Sequence, residues 1–213
     1  PELAFVPVLH GVVEITEQVG LAVNQWRPDL IAAEVAPGLE RPFEEAVLRL
    51  PFWSVLVFED DRGKSYAQVV HPVEPIVEAV RVACELGIPW RAIDADVAIG
   101  PAPSPKTPDP FAIRSLGAKA FYEQIAAARL RSSDDREPVD PLDRLREIVM
   151  AVNCAKALSE GQRVLAVVGL EHVAGIEAAL AASSPRPVYR SQVKRPVLFN
   201  LHPESLPEIV SHA

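Results

Sequence analysis

The feature of the sequence that most constrains its fold is a pair of short apolar runs on either side of one amphipathic stretch. The runs at 3–9 (LAFVPVL) and 29–35 (DLIAAEV) have the length and apolar character of buried strands. Between them, from about 12 to 26, apolar residues recur every three or four positions, and Pro28 prevents the helix from continuing. This order predicts a βαβ unit with two parallel strands.

The rest of the chain continues the same alternation. Further strands are predicted at 88–94 and 163–169, and helices at 42–50, 73–86 and 173–182. Two strands at 52–58 and 64–70, joined by the polar segment EDDRG, predict an antiparallel hairpin appended to the parallel strands. Closing strands are predicted at 188–193 and 196–201. We therefore expect a single α/β domain over 1–213 with a mostly parallel sheet.

One proline-rich segment interrupts this pattern. The chain contains 21 prolines, and five of them fall in PAPSPKTPDP at 101–110. This segment is too rigid and too poor in N–H donors for the interior of a helix or a sheet. Two helices are predicted behind it, at 111–130 and 141–159. We interpret 101–160 as a helical insertion, and expect it to form a wall or lid over one edge of the sheet.

Charge and composition exclude several classes of partner. The 29 Asp and Glu residues outnumber the 21 Lys and Arg residues, giving a net charge of −8, which argues against a nucleic-acid-binding surface. No run of 18 apolar residues indicates a membrane segment in this chain. Cys84 and Cys154 form no CxxC pair, so we expect free thiols in a reducing cytoplasm. The sequence favours no particular oligomeric state.

Ionisable residues follow nearly every predicted parallel strand. His10 follows the first strand, Glu34 lies near the end of the second, Asp94 and Asp96 close the strand at 88–94, and His172 follows the strand at 163–169. In open α/β sheets, ligands bind at the carboxyl ends of the strands. Two imidazoles and several carboxylates at that edge suit a divalent metal ion or a general acid/base site.

Each of these residues also has a structural interpretation. A histidine beside a helix start can serve only to hydrogen-bond a turn, and Asp94 and Asp96 can cap the turn before the proline-rich segment. Glu34 is harder to explain in this way, because an unpaired carboxylate among apolar residues is costly to bury. The chain has no GxSxG, P-loop or GxGxxG motif, so neither a serine nucleophile nor a nucleotide is indicated.

Three stretches of the chain carry a family resemblance: VPVLHG at 6–11 with WRPDLIAAEV at 26–35, GIPWRAIDAD at 87–96, and VVGLEHVAGI at 167–176. They resemble the TraB/PrgY family, part of a superfamily that also holds Tiki proteases, erythromycin esterases and the haem-binding ChaN proteins. The last stretch is similar to the family's second GxxH motif. The first is similar to the family's opening strand with its GxxH-type histidine, although Pro7 stands where that motif has glycine. The resemblance implies an α/β fold and a site built from His10, Glu34 and His172.

The resemblance also implies a chemistry. Tiki proteases are metal-dependent, so it implies a divalent metal ion held by His10, Glu34 and His172, with Asp94 or Asp96 assisting. Such an ion lowers the pKa of a bound water and polarises a carbonyl. The chain departs from the family pattern where arginines are expected. Leu39 stands at one such position, and Asp94 is followed by alanine where an Asp-Arg pair is expected.

Three functions are consistent with these residues. The first is a metal-dependent hydrolase acting on a peptide or ester bond of a small-molecule or peptide substrate. The second is a non-catalytic protein of the same fold that binds a ligand or a protein partner, which the missing arginines favour. The third is a metal-independent esterase with His10 as general base, as the erythromycin esterase branch suggests.

Overall fold

The computed structural model describes residues 1–97, 108–131, 140–161, 163–182 and 187–205. Most of the proline-rich segment predicted at 101–110 lies outside these ranges, and so the wall or lid predicted there stays a prediction. Within the ranges the strands are β1 (Glu2–Val8), β2 (Leu30–Ala33), β3 (Ser54–Glu59), β4 (Ser65–Val70), β5 (Trp90–Ala92), β6 (Arg163–Gly169) and β7 (Lys194–Asn200).

The helices are α1 (Val13–Trp26), α2 (Glu40–Val47), α3 (Pro75–Leu86), α4 (Ala112–Leu116), α5 (Ala118–Arg131), α6 (Pro141–Glu160) and α7 (Val173–Ala181). The helix predicted at 111–130 is divided at Gly117, whose φ of 80° is not helical. Short 3₁₀ turns cover Pro37–Leu39 and Pro203–Ser205. None of the helices in the described ranges is both long enough and apolar enough to cross a membrane.

Four strands form an all-parallel sheet in the order β1-β6-β2-β5. The prediction that the first two strands are parallel is confirmed, although β6 lies between them rather than the two being neighbours. Because all four strands run the same way, their carboxyl ends lie along one edge. That edge carries the loops after Val8, Ala33, Ala92 and Gly169.

Helices cover both faces of this sheet. Alternate residues of a strand point to opposite faces, and β2 shows this directly. Ile31 and Ala33 pack with α1 and α3 in one core cluster, whereas Leu30 and Ala32 pack with Met150 of α6 and its neighbours in another. The second helix of the predicted insertion, α6, is therefore one of the helices that bury the central sheet.

The predicted hairpin is confirmed as β3 and β4, which pair antiparallel from Ser54–Val70 to Glu59–Ser65. It does not pair with the parallel strands. Instead, β7 adds to the other side of β3 and completes a separate three-stranded antiparallel sheet in the order β4-β3-β7. Leu56 and Phe58 turn inward and join the same core cluster as α1 and α3. The structure is thus mixed α/β, as predicted, with two sheets.

The strand predicted at 188–193 is wrong. Val188 is fully exposed and the backbone of 187–193 belongs to no strand. Instead, the loop is bonded to the turn after β5: the Gln192 N–H donates to the carbonyl of Asp96 at 2.6 Å, and the Asp96 N–H donates to the Tyr189 hydroxyl at 3.3 Å. These bonds take up backbone groups that a strand would use in a ladder.

Candidate functional site

A cavity of about 650 Å³ lies between the carboxyl edge of the parallel sheet and the β3–β4 hairpin. The sheet side contributes His10, Glu34, Asp94 and Glu171, and the hairpin side contributes Phe58 and residues 64–68. Val35, Ala36, Leu39 and Val97 add an apolar part to the wall. The predicted location of the site, at the ends of the parallel strands, therefore coincides with a cavity of ligand size.

Arg146, on α6, is the centre of a buried charge cluster in the wall of this cavity. Its residue surface is only 7% exposed. Nε and Nη2 bind Asp94 in a fork, at 3.1 Å to Oδ1 and 2.9 Å to Oδ2, and Nη2 also donates to Oε1 of Glu34 at 2.5 Å. Nη1 contacts Nε2 of His172 at 2.9 Å and Oδ1 of Asp143 at 3.4 Å. All five N–H groups of the guanidinium are therefore engaged.

Glu34 joins Arg146 to the sheet. It follows β2 directly, and its second oxygen, Oε2, accepts a 2.5 Å hydrogen bond from the N–H of Gly169 at the end of β6. Burial disfavours the charged form of this carboxylate, but the charge of Arg146, aided by the hydrogen bond from the Gly169 N–H, outweighs that effect and holds its pKa below the ordinary value. Glu34 is therefore an ionised group fixed between two strand ends.

Asp94 lies on the other side of the same guanidinium. Besides the fork from Arg146, its Oδ1 accepts a bond from the N–H of Ala95 at 2.7 Å. Burial raises the pKa of Asp94, and the nearby charge of Glu34 adds to that effect, while Arg146 opposes it. One guanidinium is thus shared by two buried carboxylates whose pKa values are shifted in opposite directions.

His172 occupies the N-cap position directly before α7 and is 3% exposed. Its Nε2 faces an N–H of Arg146, which can only donate, so Nε2 must accept and the ring proton of the neutral imidazole lies on Nδ1. Within the described ranges that Nδ1 has no hydrogen-bond partner, and Oε1 of Glu147 lies 3.8 Å from it. His172 therefore buttresses Arg146 from behind, between the guanidinium and a second carboxylate.

His10 forms a separate pair on the open side of the cavity. Its Nδ1 lies 2.9 Å from Oε1 of Glu74, and Oε2 of Glu74 accepts a 3.1 Å bond from the N–H of Gly11. The imidazole is half exposed. The hydrogen bond to Glu74 raises the pKa of His10 to about 9 against the opposing effect of partial burial, and the charge of Glu34 contributes to the rise. With Nδ1 held by Glu74, Nε2 is the nitrogen left for chemistry.

The structure brings together most of the predicted site residues. His10, Glu34 and Asp94 line the cavity, and His172 lies behind Arg146. Asp96 has a different setting: its Oδ1 accepts the N–H of Gly38 at 2.7 Å and braces the loop after β2.

Two residues with a direct part in the site were not predicted from the sequence. Arg146 lies 112 positions from Glu34, and Glu74 lies 64 positions from His10. Glu74 had one signal: it precedes Pro75 at a helix start, and its side chain also caps α3 through the N–H of Ile76. Arg146 had none, because a single arginine in a helical stretch is ordinarily exposed.

The predicted metal set does not fit this arrangement. The lone pairs of Glu34 and His172 that would bind a metal ion face the guanidinium of Arg146. Across the residues that the structure describes, no three His, Cys, Asp or Glu side chains are grouped so as to hold a metal ion. We therefore derive no step through a bound metal.

Comparison of the chain with protein-family models, with curated proteins and with solved structures found no match. The resemblance to the TraB/PrgY family consequently stays a prediction from the residues that carry it.

Proposed function

We propose that this chain is a metal-independent hydrolase that cleaves an ester or peptide bond of a small molecule or peptide, with His10 as general base. The observation that carries the proposal is the His10–Glu74 pair at the mouth of a cavity of about 650 Å³, beside the ionised Glu34. A histidine whose Nδ1 is fixed by a carboxylate presents Nε2 in a defined orientation, which is the arrangement general-base catalysis needs.

The proposed reaction follows from these positions. In its neutral form, which prevails above about pH 9, His10 carries its ring proton on Nδ1 toward Glu74. Its Nε2 then accepts a proton from a water molecule as the water attacks the substrate carbonyl. The imidazolium then returns that proton to the leaving alkoxide or amine. The carboxylates of Glu74, Glu34 and Glu171 each favour the imidazolium form of His10, so the charge that develops on the ring is stabilised where it forms.

The other two predicted functions remain distinguishable from this one. A metal-dependent hydrolase of the TraB type is less favoured, because Arg146 takes up the lone pairs that the metal would use. A binding protein without catalysis is favoured by one observation. All five N–H groups of Arg146 donate to other side chains of the protein, so that guanidinium has none left to donate to a developing oxyanion.

Free thiols at Cys84 and Cys154 are in keeping with the cytoplasmic location expected from the sequence.

The test is hydrolysis by purified protein that has been dialysed against a chelator. A panel of p-nitrophenyl esters and fluorogenic dipeptides is offered, and turnover is followed in wild type, His10→Ala and His202→Ala. We expect chelator-resistant turnover that falls about 10²–10⁴-fold in His10→Ala, the usual range for loss of a general base. His202, an exposed residue beside the Pro203–Ser205 turn, is the matched control and should leave the rate unchanged.

The alternatives give different results. Turnover that disappears with the chelator and returns with a divalent ion would support the metal-dependent hydrolase instead. Saturable binding of a panel member without turnover would support the binding protein. Equal activity in wild type and His10→Ala would remove His10 from the mechanism.

A further inference from the structure

One oxygen of Glu34 and one ring nitrogen of His172 are placed as the ligands of a cation would be, and the guanidinium of Arg146 occupies the position of that cation. Oε1 of Glu34 and Nε2 of His172 are 3.6 Å apart and both contact the guanidinium of Arg146. We infer that Arg146 is a built-in cation that takes the place of a divalent metal ion at this site. The inference concerns cation occupancy, so it holds or fails whether or not the chain hydrolyses anything.

The first support is that Arg146 binds the same two lone pairs, on Glu34 and His172, that a metal ion would use. A zinc ion bound at about 2.1 Å by two ligands in tetrahedral geometry holds those ligands about 3.4 Å apart. The 3.6 Å between Oε1 of Glu34 and Nε2 of His172 is close to that spacing. The same two lone pairs are those that accept hydrogen bonds from Arg146. A metal ion and the guanidinium therefore compete for one position.

The second support is charge and burial. Glu34, Asp94 and Arg146 all have side chains less than 10% exposed. A buried carboxylate needs a counter-charge, and two of them share this one. Arg146 supplies the charge together with a planar fork that binds Asp94 at two points. The guanidinium carries one positive charge, so it offsets one of the two carboxylate charges while it hydrogen-bonds both side chains.

The third support lies behind His172. Metal-binding histidines commonly direct their second ring nitrogen at a carboxylate that orients the ring. Here Nδ1 of His172 is buried, is without a hydrogen-bond partner among the described residues, and lies 3.8 Å from Oε1 of the buried Glu147. The ring is thus flanked by a carboxylate on one side and by the cation on the other. Removal of the guanidinium would leave Oε1 of Glu34 and Nε2 of His172, 3.6 Å apart, without the cation they share.

The experiment is zinc titration by calorimetry, with elemental analysis, on chelator-treated wild type and Arg146→Ala. We expect the wild type to take up no zinc that depends on Glu34 or His172. We expect Arg146→Ala to bind one Zn²⁺ at least about 100-fold more tightly than the wild type, and to lose that binding when Glu34→Gln is added. Arg144→Ala is the matched control, because Arg144 lies on the same helix with half of its side chain exposed.

Two results would overturn the inference. One is a wild type that binds one Zn²⁺ per chain and loses it in Glu34→Gln or His172→Ala. The other is a folded Arg146→Ala that gains no zinc site. If Arg146→Ala is unfolded by circular dichroism, refolding is repeated with Zn²⁺ present, where a folded, zinc-loaded variant supports the inference. If Arg146→Ala stays unfolded, the wild-type titration decides. Zinc binding that depends on Glu34 or His172 overturns the inference, and its absence supports it.

Discussion

The carboxylate of Glu74 controls the titration of His10. Because the hydrogen bond to Glu74 raises the pKa of His10 to about 9, we expect the imidazole to be protonated through neutral pH. The rate of base catalysis should therefore increase with pH up to about pH 9. Glu74→Gln should lower the pKa of His10 toward its ordinary value of 6.5. NMR titration of the His10 ring measures this. Glu171→Gln also removes one negative charge near His10 but leaves the His10–Glu74 hydrogen bond intact, so it should lower the pKa of His10 by less.

The same pKa shift has a consequence for stability. The pKa of His10 is higher in the folded than in the unfolded chain, so its protonated form stabilises the fold. This contribution to the free energy of unfolding is fully present below about pH 6.5 and is lost as the pH rises through about 9. Denaturation at a series of pH values should show the decline in wild type and a flatter profile in Glu74→Gln. An unchanged slope in the variant would contradict the assignment of this decline to the His10–Glu74 pair.

The sequence predicted the residues around the cavity that follow strands, and missed Arg146 of α6 and Glu74 at the start of α3. His10, Glu34, Asp94 and His172 each follow a strand by a few positions, and the edge of a parallel sheet gathers all such positions. Arg146 is different. It lies within α6, and only the docking of that helix against β2 and β6 turns it inward. That packing depends on contacts between residues more than a hundred positions apart.

Among the helices and strands, those with a clear apolar pattern or a clear capping residue were predicted best. The strand at 163–169 matches β6, and the predicted helix from 141 begins where Asp140 caps α6 through the N–H of Leu142. The strand predicted at 188–193 was wrong because the backbone there hydrogen-bonds to the loop at Asp96 and not to a neighbouring strand. Pattern alone cannot distinguish a strand from a loop that another loop holds in place.

The packing of α7 on α6 depends on Gly175. An added Cβ there would lie 2.0 Å from Cδ of the buried Glu147. Glycine to alanine within a helix ordinarily stabilises by roughly 0.5–1 kcal/mol. Here the obstructing atoms are the end of a flexible side chain that can shift. We therefore expect Gly175→Ala to destabilise by about 1 kcal/mol, the low end of the usual cost of overpacking, because Glu147 must leave its position beside His172.

A double-mutant cycle measured by chemical denaturation checks this prediction. In a Glu147→Ala background the obstructing carboxylate is gone, so Gly175→Ala should become neutral or stabilising. If the substitution is equally harmful in both backgrounds, its effect arises from the backbone of α7 and not from the contact with Glu147.

At the scale of the whole molecule, the two described sheets share a buried core cluster and line the same cavity. Leu56 and Phe58 of the antiparallel sheet lie in the same buried cluster as Ile31 and Leu165 of the parallel sheet. The sequence predicted the hairpin but not this arrangement, because β7 joins β3 across more than 130 residues. The hairpin therefore forms the wall opposite the strand ends, and the shape of the cavity depends on the shared core.

A shared core predicts that the two sheets unfold together. Leu56 is fully buried, and Leu56→Ala should cost about 2–5 kcal/mol. Val57→Ala, on the outer face of the same strand, should cost less. Variants that keep only Trp53, beside β3, or only Trp90, in β5, report on each sheet by fluorescence. If the molecule is one cooperative unit, both tryptophans report the same midpoint, and Leu56→Ala lowers both equally. A lowered midpoint at Trp53 alone would mean that the antiparallel sheet unfolds independently, and that the cavity can open without loss of the parallel sheet.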